Sequence, residues 1–580
     1  MTLIGAALRF WPVGGLGLTH FDEGIYALVA SGQMSLAELI PYAPPGFTIL
    51  GGLAFAILGS SDSALILVSQ VAGIVTIPVV AWLGRRTFGP GAGFASSVFC
   101  AFSGPHIAFS RMALTDASFL LAWLLALGAG IRFLERPGFV RALVMGLAVG
   151  LAQEFKYNGW LTGGIVIASA LLGIAVRPEE RKLGSIAKVF GWGGFSAVVA
   201  WLVVWPWFAY VEGHGGYSAL LRHQQSYLGG FGAWWPNLSS QANQAVALSG
   251  GGWLLIPAIG LVCLTSWISG RATPFRPWKS YSRVERLVLI PGIPCFLFLL
   301  LPNFVDAPYP TGFLGIPWLL KRPGRRIVVL SWLVLLISSP FYHPYARLWL
   351  PLHASHWLLM AWIVADAIPS LRELDLPGLY KTPGRVGLRS RLFADNPGKR
   401  LPIGEAALVT IFVCIIAWNI MSNMVNQGQK FPRTQVIAQP GLLAPSDSLR
   451  QACDQASLFL PDDVKALQVL VRPPVIYYLS GRVRLSRMEG SEALSKPGNP
   501  DVWALVDSWN LRSELGQGSE ESSRNLLEKF ANHWEVVQAF PTTLSLPTML
   551  DLDPDAARSD TADRNCSLWL LRPRRPGVKK

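Results

Sequence analysis

Long apolar stretches broken by short basic loops fill the first four hundred residues, and they restrict the fold more than any other feature. The runs at 64–82, 92–109, 114–131, 195–210 and 349–364 approach the ~20 residues needed to cross the hydrocarbon of a bilayer. Others, at 143–155, 165–176, 253–268, 288–301, 314–320, 327–337 and 406–420, are shortened by Pro or Gly. In lipid each backbone N–H and C=O must be satisfied within its own segment, so such runs are read as helices. Composition agrees: 51% of the 580 residues are hydrophobic and 14% charged, where a soluble domain carries about a quarter. With the short start at 3–10, the count is about thirteen spans. That start is too short to cross alone and lacks the basic flank and cleavage pattern of a signal peptide. It is read as what remains of a longer first helix.

The basic residues supply the topology. Of the 49 Lys and Arg, 19 follow Asn426, where 18 acids balance them. Most of the others lie in alternate loops, at 85–86, 132–141, 177–188, 271–286, 321–326 and 372–400. This is the pattern of positive cytosolic loops. The net charge of +14 is therefore topological and calls for no nucleic-acid partner. If the apolar stretch 44–58 crossed, Arg85 and Arg86 would fall on the wrong side, so it is read as a helix along the outer interface.

The chain is expected to divide into a membrane domain, 1–425, and a small α/β domain, 426–580. Helix-like SLRQACDQASLFL and SSRNLLEKFANHW alternate there with strand-like ALQVLVRP, VRLSRM, DVWALVD, EVVQAF and SLWLLRP. Thirteen spans place this tail outside the cytosol. Cys453 and Cys566 are candidates to pair across it.

The informative residues are charges beside apolar segments, which cost roughly 2.5–3.5 kcal/mol on insertion scales and mark function. They are Asp22 and Glu23 in LTHFDEGIYALVASG, Arg111 and Asp116 in SRMALTDASFLL, Lys156 in GLAQEFKYNGW, and Arg347 in YHPYARLWLPL. Each has a plain structural use: an acidic pair or an LTD segment caps a helix, and an interfacial Arg snorkels. Yet all fall on the outer side, and independent accidents would not all choose one face. Together they read as a site for an anionic lipid headgroup and a second substrate. The outer segment RHQQSYLGGFGAWWPN, residues 222–237, is read as a substrate-facing loop that offers His223 and Trp235; Tyr345 flanks Arg347. A metal site needs three or more ligands in a geometry that sequence does not show. No cofactor is called for, and a divalent cation is left open.

FDEGIYALVASG, then APPGF, FSRMALTDASFLLAWLLALG, GLAVGLAQEFKYNGW and PYARLWLPL occur in an order that resembles the GT-C membrane glycosyltransferases. The resemblance is strongest to the protein O-mannosyltransferase and aminoarabinose transferase superfamily, and it covers roughly residues 1–425. It implies a polytopic helical fold with an extracytosolic C-terminal α/β domain, in a bacterial inner membrane. It also implies transfer of a hexose or pentose, with inversion, from a polyprenyl-phosphate donor to a lipid, polysaccharide or protein acceptor at the non-cytosolic face. The family motif assigns the base to Asp22, with Glu23 in support. Asp116 is expected to orient Arg111 or the acceptor, and Arg111, Lys156 and Arg347 to hold the phosphate. Relatives often place a basic residue before the double Pro, where this chain has Tyr42 and Ala43, so the donor headgroup is open. The alternative is a transporter or flippase of a lipid-linked sugar, but no internal repeat is visible and the charges lie at one face rather than the midplane.

Overall fold

The computed structural model describes residues 1–248, 322–367 and, with short gaps, 446–574. The apolar runs are helical. They form α1 Thr2–Phe10, α2 Phe21–Ala30, α3 Gly46–Leu58, α4 Asp62–Phe88, α5 Pro90–Phe102, α6 Gly104–Ser110 and α7 Thr115–Glu135. Next come α8 Phe139–Phe155, α9 Leu161–Val176, α10 Leu183–Glu212, α11 Gly216–Gln225, α12 Gly230–Leu248, α13 Pro323–Ser338 and α14 Leu350–Ala367. The runs expected at 253–268, 288–301, 314–320 and 406–420 lie outside the described residues.

Among the described residues, four segments are long and apolar enough to cross a bilayer: α4, α7, α10 and Pro323–Phe341. The pair α5–α6, bent by 58°, passes as one broken span. The break falls at Ser103, whose hydroxyl accepts from the His106 N–H and caps α6. At 13 residues α3 is too short to cross alone. Helix α7 is the most enclosed of the spans, while α10 exposes Trp201, Leu202 and Trp205. An apolar face of that size belongs against lipid. Arg9 shows how a charge is tolerated deep in the bundle: its guanidinium donates to Gly5 O at 2.8 Å and Cys100 O at 3.3 Å, and lies 2.8 Å from His106 Nδ1.

The C-terminal part holds α15 Ser448–Phe459, β1 Ala466–Leu470, α16 Pro473–Leu479, β2 Arg484–Arg487 and β3 Trp503–Asp507. It continues with α17 Ser508–Leu515, α18 Glu520–Glu528, β4 Trp534–Thr543, α19 Leu546–Leu552 and β5 Asn565–Pro573. The strands form one sheet of order β2-β1-β3-β5-β4, with the first three parallel and β5 and β4 antiparallel to their neighbours. Both faces are covered. Leu505, Leu568 and Leu570 pack with α15 and α16 on one, and Ala504, Val506, Trp569 and Leu571 with α17 and α18 on the other. A strand buried on both sides reads as a continuous apolar run rather than an alternation, which is why WALVD and SLWLL stood out. Cys453 and Cys566 are both buried and unbonded. They serve different apolar clusters, so the expected pairing does not form.

This unit docks on the segment that enters α2. Gly24 meets the backbone of Pro473 and Pro474 so closely that an added Cβ would sit 2.2 Å from Pro474 N. Tyr478 Oη accepts from Leu18 N at 2.7 Å and donates to Asp62 at 3.0 Å. Arg472 donates to Thr19 O at 3.0 Å while paired, fully buried, with Asp507 at 2.7 Å.

Candidate active site

The start of α2 carries the first half of the site. His20 is its N-cap: Nδ1 accepts from Asp22 N at 3.0 Å, and Glu23 reaches back to complete a capping box. Glu23 is buried, and its oxygens accept from Thr19 N at 2.7 Å, His20 N at 2.8 Å and Ala113 N at 2.7 Å. All three donors are backbone, so Glu23 braces α2 against the turn before α7.

Asp22, one residue earlier, points elsewhere. Its Oδ2 accepts from Arg347 Nη1 at 2.7 Å, in a pair with side chains 14% and 13% exposed. Arg347 leaves a short 3₁₀ turn, Ala346–Trp349, just ahead of α14. That turn is held from α12, where Gln244 accepts from Ala346 N at 3.0 Å and Gln241 from Trp349 Nε1 at 2.7 Å. The Tyr345 ring lies 5.0 Å from the guanidinium carbon. Burial is the largest single influence and would weaken Asp22 as an acid, but the charge and hydrogen bond of Arg347, together with the charges of His20 and Lys156, outweigh it and hold the carboxyl below the ordinary value.

The second pair is Lys156 with Asp116, joined by a hydrogen-bonded ion pair in the first turn of α7. Lys156 is the C-cap of α8 and lies 5.7 Å from the Phe119 ring centroid. Asp116 accepts from Lys156, and its second oxygen has no hydrogen-bond partner among the described residues. Arg111 ends α6 and is buried in the turn whose Ala113 N–H binds Glu23.

Two residues of the site have no counterpart in the sequence reading. Asp551, at the end of α19, places Oδ2 3.1 Å from Arg347 Nε and 3.0 Å from His20 Nε2. An unbroken chain therefore runs Asp22–Arg347–Asp551–His20 and back to the backbone of Asp22. The two carboxylates favour a charge on His20 and, together, outweigh the opposing effect of its burial, raising its basicity. The cap bond at Nδ1 works the other way, since only the neutral ring accepts there.

The segment 222–237 is not a loop. It contributes the end of α11, a turn and the start of α12. Trp234 anchors it by donating to Ile337 O at 2.9 Å, and Asn237 donates to Pro340 O and Tyr342 O, each at 3.0 Å. Trp235 is 58% exposed and stacks on Trp234. His223 is half-buried and edge-on to Tyr42 and Tyr227; Tyr227 in turn stacks on Tyr342 and neighbours Tyr345. Among the described residues, no three His, Cys, Asp or Glu side chains are grouped to hold a metal ion.

Residues 42–210 match the family model described as dolichyl-phosphate-mannose-protein mannosyltransferase. The structure is similar to ArnT from Cupriavidus metallidurans bound to undecaprenyl phosphate, with a TM-score of 0.50 at 13% identity, over 98% of this chain and 96% of that one. The Archaeoglobus fulgidus oligosaccharyltransferase in its apo form gives a TM-score of 0.47 at 14% identity, over 95% of this chain and 70% of that one. No curated protein sequence matches the chain. The fold is GT-C, and residues 42–210 within it match the mannosyltransferase family model.

Proposed function

We propose that the chain takes a sugar from a polyprenyl-phosphate donor and passes it, with inversion, to a lipid, polysaccharide or protein acceptor on the non-cytosolic face of the membrane. The observation that carries this reading is the facing of Asp22 by Arg347, with the Lys156–Asp116 pair in the same electrostatic neighbourhood. The acceptor hydroxyl attacks the anomeric carbon, and its proton passes to Asp22 as the new C–O bond forms. The bond to the lipid phosphate breaks on the opposite face. That phosphate leaves with added negative charge, which Arg347, Lys156 and Arg111 stabilise.

Arg347 then serves two anions in turn. Paired with Asp22 it keeps the carboxylate ionised; drawn to the leaving phosphate, it lets the carboxylate regain basicity as the proton arrives. Tyr345 and His223 line the approach, and the division at 425 separates a membrane domain from one that closes the site from outside. Support for the lipid donor comes from the undecaprenyl phosphate bound by ArnT. The test is mass spectrometry of lipid-linked sugars and surface glycans with and without the gene. Loss should raise one lipid-linked sugar and remove the matching glycan modification. Unchanged profiles of both would overturn the reading, and transport of an unconsumed lipid-linked sugar by the purified chain would replace it.

A further inference from the structure

We propose that Asp551 is a positioning residue of this transfer site: it holds Arg347 on one side and His20 on the other, so that both address Asp22. The inference rests on the reading of Asp22 as the base. A single carboxylate oxygen makes both contacts, 3.1 Å from Arg347 Nε and 3.0 Å from His20 Nε2. A guanidinium is planar and rigid, so fixing Nε on one carboxylate sets the direction of Nη1, which lies 2.7 Å from Asp22. The imidazole works on the backbone. Because Nδ1 accepts the Asp22 N–H at 3.0 Å, the ring proton sits on Nε2, where Asp551 receives it; the partner of one nitrogen thus fixes the role of the other. Side chain and main chain of Asp22 are both set from one distant residue.

The geometry around Asp551 suits that role. Its side chain is 4% exposed, and its other oxygen has no hydrogen-bond partner among the described residues. Its carrier, α19, is fastened to the segment before α2, with Thr548 Oγ1 2.9 Å and Ser545 Oγ 3.3 Å from Thr19 Oγ1. The C-terminal domain is therefore part of the catalytic apparatus and not only a neighbour of it.

The test uses the full chain in nanodiscs and compares Asp551→Asn with wild type for sugar transfer and for the ¹⁵N spectrum of His20, assigned with His20→Gln. Asn keeps the size but cannot bind a guanidinium and an imidazole as an anion does. A misplacement of this kind costs up to about 10²-fold in rate, so kcat should fall roughly 10–100-fold, with a smaller change in donor KM. The His20 ring should stay in the Nε2–H form when neutral, held by the Asp22 N–H, but should titrate at lower pH, because the Asp551 contact that favours the charged ring is lost. Thr548→Ala loosens the same docking without touching the carboxylate and should keep kcat within about threefold, as for one lost hydrogen bond. Wild-type turnover in Asp551→Asn would overturn the proposal. Lost turnover with the His20 titration unchanged, or an equal loss in Thr548→Ala, would also do so, by reducing Asp551 to a docking contact. Failure of the wild-type chain to transfer any sugar would overturn the functional reading itself.

Discussion

Asp22→Asn is the sharpest perturbation of the site, because it removes a charge and a proton acceptor while leaving shape nearly intact. The amide oxygen can still accept from Arg347 Nη1, now 2.7 Å from Asp22, and the backbone N–H that His20 caps is untouched. What disappears is the capacity to take the acceptor's proton. A positioned base contributes on the order of 10²–10⁴ in rate, or about 2.7–5.4 kcal/mol of barrier, and transfer should fall by that factor. Donor binding should move the other way. With Asp22 neutral, Arg347 keeps Asp551 as its remaining anionic partner and is freer to meet a phosphate, so undecaprenyl phosphate should bind as tightly as to wild type or tighter. The assay is turnover of labelled polyprenyl-phosphate sugar by purified variants, with undecaprenyl-phosphate binding measured on the same samples. Near-normal turnover would refute the assignment and make Asp116 the leading candidate. Equal loss of binding and turnover would refute the role as a base and make Asp22 an organiser of the site.

Other perturbations follow from the same geometry. Arg347 holds the Asp22 carboxyl below its ordinary value, so the activity that needs ionised Asp22 is present above that value and is lost only as pH falls through the depressed one. In Arg347→Gln the acid limb of the kcat profile should therefore move to higher pH, with weaker donor binding, and an unmoved limb would count against the pairing. Glu23→Gln leaves an amide nitrogen facing backbone donors, so it should cost about 1–3 kcal/mol of stability, read from the melting temperature, while losing far less transfer than Asp22→Asn. A reporter fused after Lys580 should be active only outside the cytosol; activity inside would invert the assignment of faces.

The sheet and the acidic start of the site were legible for a physical reason. A strand buried on both faces must be apolar throughout, so WALVD and SLWLL declared themselves. A carboxylate between apolar segments is too costly to be idle, which singled out Asp22 and Asp116. Asp551 gave no such signal, since LDLDPD reads as an ordinary acidic surface turn and its partners lie hundreds of residues away in sequence. His20 was hidden by its neighbours: a histidine before an acidic pair reads as a helix start, which it also is. The segment 222–237 read as a loop, whereas Trp234 and Asn237 pin it to α13 and the turn after it. Asp116 and Lys156 meet across 40 residues of sequence, a pairing that no local spacing announces.

The ionic chain from Asp22 through Arg347 to Asp551 spans most of the polypeptide, and this bears on how the molecule comes into being. Asp22 is translated before Arg347, and Arg347 well before Asp551. Throughout synthesis the nascent membrane helices can pack while the reactive carboxylate stays without its full surroundings. A chain cut short by a late nonsense codon would insert, occupy its place in the bilayer and hold an incomplete site. On the proposed reading, the site is assembled only once the last of these three residues has been made.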